Sequence, residues 1–162
     1  MRHHLVLRVV AKFLIPLIML FGLYVQFHGD YGPGGGFQAG VIFGSAFILY
    51  ALIFGLENAR KVVPEGYLLA LVSAGLLLYV GVGYAAMFKG GNFLDYGVLA
   101  SDFVAGQHLG ILLVELGVGI TVGAVMIVIF FAFSGRGDNE AEVFPMDEDE
   151  TISAATDKSG EA

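Results

Sequence analysis

The 162-residue chain contains no cysteine. That absence excludes disulfides, thiolate nucleophiles, iron–sulfur clusters and Cys-ligated zinc, and it leaves the redox compartment open. Charge is scarce too: 14% of residues are charged, against about 25% in ordinary soluble domains. No GxxxxGK[ST] run occurs, and the glycine cluster at 34–36 lacks GxGxxG spacing, so neither phosphate-binding loop is present. The first apolar stretch is followed by Phe27-His28-Gly29-Asp30 rather than a small-residue cleavage site, so it reads as a retained helix and not a signal peptide.

What is present is apolar sequence in long runs. Hydrophobic residues make up 57% of the chain, and the mean hydropathy is +0.79. Four runs stand out, at about Leu5–Phe27, Phe37–Leu56, Tyr67–Phe88 and Leu109–Phe133. Each holds roughly 20–25 residues, enough at about 1.5 Å per residue to cross a hydrocarbon core of about 30 Å. The runs show almost no polar face. The fold class they define is all-α and integral to the membrane, with four transmembrane helices and the lipid bilayer as solvent.

The net charge of −7 is local rather than general. Residues 1–133 carry six basic and six acidic side chains, whereas 134–162 carry nine acidic ones against Arg136 and Lys158. The chain therefore divides into a four-helix domain, 1–133, and an acidic tail, 134–162, expected to be disordered and cytoplasmic. No nucleic-acid partner is expected. Arg2, Arg8, Lys12, Arg60, Lys61, Arg136 and Lys158 fall on one side of the four spans, and Lys89 alone on the other. By the positive-inside rule both termini are cytoplasmic.

Several residues could carry chemistry. Glu115 is the only acidic residue well inside a span, where a carboxylate is costly and faces protein or a water-filled cavity. It could be a protonatable or cation-binding group on an ion pathway, or a structural carboxylate bonded to a neighbouring helix; with no basic residue at its depth, a helix of another protein is the expected partner. His108 lies seven residues earlier on nearly the same face, and His28 ends the first helix on the same membrane side. They could relay protons or ligate a metal or haem, or simply bond loop backbone. Asp30 could attract cations or cap the turn. No catalytic residue, metal site or cofactor is expected.

The segment His28 to Gly40 joins the first two spans through Pro33, Gly34, Gly35, Gly36, Phe37, Gln38 and Gly40. Three glycines after a proline open a helix poorly, yet apolar helical sequence resumes at once. Gly36, Gly40 and Gly44 are four apart, as are Gly119 and Gly123, a spacing that lets helix backbones approach closely. Phe43, Phe47, Tyr50 and Phe54 form an aromatic stripe whose default role is packing. Asp30-Tyr31-Gly32…Phe37-Gln38-Ala39-Gly40 is echoed by Asp95-Tyr96-Gly97…Phe103-Val104-Ala105-Gly106, either a parallel repeat of two hairpins or coincidence.

Arg8…Pro16…Phe21-x-x-Tyr24, then Phe27-His28-Gly29-Asp30 and Pro33-Gly34-Gly35-Gly36-Phe37-Gln38-Ala39-Gly40, resemble the MnhB family, small membrane components of the Mrp, or Mnh, multisubunit Na+/H+ antiporter. The resemblance covers about residues 1–133; the acidic tail lies outside it. It implies an accessory membrane subunit, not an enzyme, in a complex of six or seven different proteins in the bacterial cytoplasmic membrane. Such complexes export Na+ at the expense of H+ import and support sodium tolerance and pH homeostasis. The alternative is a four-helix assembly scaffold with no ion contact. A stand-alone exporter with one membrane glutamate ranks below both, because here the glutamate is in the last span.

Overall fold

The structure is a computed structural model that describes residues 5–29 and 32–143, with side chains described as far as residue 135. Among the described residues five α-helices follow one another: α1 (Leu5–His28), α2 (Gly36–Phe54), α3 (Leu56–Val62), α4 (Glu65–Phe88) and α5 (Phe103–Val143), with one short 3-10 turn at Tyr96–Val98. Four are long and apolar enough to span a bilayer: α1, α2, α4 and residues 103–135 of α5. The four expected spans are therefore observed, and Pro16 lies inside a continuous α1.

The connections differ from expectation in three places. The second run does not continue to Leu56. Gly55 adopts φ +96, donates its N–H to Ala51 at 2.9 Å, and so ends α2 before a new helix begins. The expected link from Glu57 to Gly66 is mostly the helix α3, stopped by Val63 in extended conformation before Pro64. The fourth span begins six residues earlier than the apolar run. Asp102 accepts the N–H of Ala105 at 3.2 Å, an N-cap bond that fixes the start at Phe103. Asp102→Ala should destabilise this helix start by about 1 kcal/mol, readable as faster amide exchange confined to residues 103–107. At the other end α5 continues to Val143; the acidic run Asp147-Glu148-Asp149-Glu150 lies outside the described residues.

Glycines decide how the helices meet. Without a hydrophobic force between helices in lipid, association rests on close van der Waals contact. A Cβ on Gly40 would lie 2.6 Å from the Gly119 carbonyl oxygen, and one on Gly44 would lie 3.0 Å from Cβ of Met126. The two glycine rows seen in the sequence thus pack on each other, and the register shows α2 and α5 running in the same direction. Gly75 on α4 meets Thr121, and a Cβ on Gly117 would lie 2.8 Å from the Gly75 carbonyl oxygen. Gly22 packs on Phe43, closing the α1–α2 hairpin. Near α3 the core is filled by Ala51, Ala59, Leu68, Ala124, Ile127 and Phe131. Phe47 and Tyr50 of the aromatic stripe pack against it, and Arg60 sits 5.7 Å over the Phe131 ring.

The register also shows a stagger. Gly36, the first residue of α2, lies against Glu115, twelve residues into α5. The start of α5 therefore stands about 18 Å beyond the α1–α2 turn. Between α4 and α5, Lys89 donates to the Leu99 carbonyl at 2.6 Å, and the Tyr96 ring packs on Gly110. Burial, with a smaller contribution from Tyr79, raises the Tyr96 phenol above its ordinary value of 10.0. Both halves of the Asp-Tyr-Gly…Phe echo place phenylalanine at a helix start, Phe37 second in α2 and Phe103 first in α5, and the second contains a 3-10 turn.

Candidate functional site

The turn between α1 and α2 folds back on the end of α1. Gly32 donates to the His28 carbonyl at 3.1 Å and Gly35 to the Val25 carbonyl at 3.3 Å. Gly35, the N-cap of α2, has φ +122 and ψ 173, a conformation that is essentially glycine-only. It offers no side chain to the helix N-terminus. The first N–H groups of an α-helix have no carbonyl partner within it, and that end carries partial positive charge.

The Glu115 side chain of α5 lies beside that end. A Cβ on Gly29 would lie 2.8 Å from its Oε2, and one on Gly35 would lie 3.1 Å from its Oε1. Its backbone carbonyl oxygen occupies the space a Cβ on Gly36 would need. The carboxylate is therefore half-buried against the glycine turn at the positive end of α2. Within this chain the carboxylate lies against the α1–α2 turn, because glycines at 29, 35 and 36 leave room that no spacing along α5 discloses. Glu115 lies more than three turns into α5, because the helix starts at Phe103.

The other candidates are placed unequally. His28 stacks on Tyr24, centroids 5.1 Å apart and planes 16° apart, with its Nε2 beside Gly32. His108 is exposed, seven residues from Glu115 and about 10 Å further along α5. Both His108 and Glu115 have interaction partners. No group of three or more metal-ligating side chains occurs among the described residues. Asp30 lies outside the described residues. In the turn motif Gly35, Gly36, Gly40 and Gly44 are buried, Gly34 is half-buried, and Pro33, Phe37 and Gln38 are exposed.

Sequence reasoning missed Gln26. It is 5% exposed, and its Nε2 has no hydrogen-bond partner among the described residues. The available signal was a lone amide in the last two turns of an otherwise apolar stretch of α1.

These features define a helical membrane protein held together by glycine-mediated backbone contact, with a carboxylate seated on an interhelical turn. Residues 6–128 match the family described as "Domain related to MnhB subunit of Na+/H+ antiporter". The chain is 35% identical over 133 residues to "Putative antiporter subunit mnhB2" of Staphylococcus epidermidis and, equally, of Staphylococcus aureus. Each alignment covers 80% of this chain and 94% of the relative. The chain belongs to the MnhB family and is an accessory subunit of a Na+/H+ antiporter complex.

Proposed function

We propose that the complex exports Na+ in exchange for imported H+ across the bacterial cytoplasmic membrane, and that this chain serves it chiefly by shape. In this reading it joins the other Mrp subunits in an assembly of six or seven different proteins, with both its termini in the cytoplasm. The observation that carries the structural role is the Glu115 carboxylate against Gly29 and Gly35. A charge so placed completes the N-terminus of α2 and fastens the α1–α2 hairpin to α5. In everted vesicles, a complex lacking this chain should lose the Na+-dependent change in ΔpH. Full activity without the chain would overturn the assignment of a required accessory role.

A second reading puts Glu115, His28, His108 and Asp30 on the ion pathway. The half-burial of Glu115 and the exposure of His108, seven residues apart on nearly the same face of α5, favour it. The two readings part at a single isosteric substitution, Glu115→Gln.

A further inference from the structure

Between α1, α2, α4 and α5 lies a cavity of about 340 Å³. Along α5 its lining runs from Leu116 to Ile127, about 16 Å. Its mean cross-section is therefore about 20 Å². An α-helix with side chains, about 10–12 Å across, does not fit such a slot. A single alkyl chain, whose carbons keep contacts of about 4 Å, does. Met19, Leu23, Tyr67 and Leu116 line the cavity yet keep more than a third of their surface exposed, so it opens sideways.

The lining is apolar apart from two side chains at opposite ends, Gln26 by the α1–α2 turn and Tyr67 near the start of α4. Tyr67 is exposed, whereas Gln26 is buried with its Nε2 donor unpaired among the described residues. A buried amide N–H without an acceptor is expensive. Gln26 lies two residues before the end of α1. In a spanning helix that is the depth at which lipid ester carbonyls sit.

The geometry points to a binding site for one acyl chain of a membrane phospholipid, its ester carbonyl accepting a hydrogen bond from Gln26 Nε2. The chain enters past Leu23, lies along Phe43 and Phe47, and ends near Tyr67. The lipid then acts as a filler that completes the packing between the α1–α2 hairpin and α4. The site is independent of ion coupling, so its test is separate from that of the antiport reading.

The test uses the intact complex in nanodiscs that contain phosphatidylethanolamine with a diazirine in its acyl chain. Cross-links are mapped by peptide mass spectrometry. Labelling is expected on Phe43, Phe47 and Leu71. Leu23→Trp, which plugs the opening, should abolish it. Gln26→Leu should weaken it by about tenfold, with labelling of the exposed Phe13 unchanged. No label in the wild-type cavity would overturn the site, as would equal labelling of wild type and Gln26→Leu. A quinone or a side chain of another protein found in the cavity would overturn the lipid assignment. If Leu23→Trp does not assemble, the wild-type and Gln26→Leu results decide.

Discussion

Gly36→Ala removes this chain from the assembled complex. The added methyl falls where the Glu115 carbonyl oxygen already lies. A backbone atom cannot swing aside as the end of a side chain can, so α2 and α5 must part. Parting them loosens Gly40 against Gly119 and Gly44 against Met126 as well. Overpacking of this kind costs about 1–3 kcal/mol, and the lost contacts along the seam add to it. At about tenfold per 1.4 kcal/mol, recovery of the complex through a tag on another subunit should fall by at least about tenfold. Gly66→Ala is the control, because a Cβ there meets nothing within 4 Å. Gly35→Val should fail as well, for a different reason: φ +122 strains any side chain, at about 1–3 kcal/mol. A Gly36→Ala complex recovered in wild-type amount would mean that α2 and α5 are not in backbone contact.

Glu115→Leu is the second large effect. It removes the carboxylate that lies against Gly29 and Gly35 and, with it, the negative charge beside the N-terminus of α2. The lost charge at a helix N-terminus costs about 0.3–2 kcal/mol, and the branched apolar side chain repacks against the glycine turn at about 1–3 kcal/mol more. Complex recovery should fall by about tenfold or more. Glu115→Gln keeps one acceptor and nearly the same shape. It should assemble to within about threefold of wild type and retain Na+ efflux. A Glu115→Gln complex that assembles fully but carries no Na+ would sink the structural reading and place the carboxylate on the ion route.

Much of the fold was legible because bilayer crossing is a local property. A run such as Tyr67–Phe88 declares itself by length and apolarity alone, and the glycine rows announced close packing before their partners were known. What the rows could not disclose was the register that sets Gly36 on Glu115 and Gly40 on Gly119, since that depends on residues about eighty apart. The break at Gly55 was hidden for another reason. Glycine is common within apolar helices, and only its φ of +96 separates a helix end from a packing site. Gln26 was visible all along, but a lone amide draws less notice than a carboxylate.

The stagger between the hairpins has a consequence for how this chain sits in lipid. The 19 residues of α2 measure about 28 Å, a close match to a hydrocarbon layer of about 30 Å. Residues 103–135 of α5 measure about 50 Å. A bilayer fitted to the shorter helix leaves an oily crown of α4 and α5 standing clear of it, with Tyr84, Met87, Phe88 and Val104 on its surface. Tilting recovers only part of such a mismatch. The remainder calls for cladding by other proteins, so this chain is built on a scale that only an assembly can accommodate.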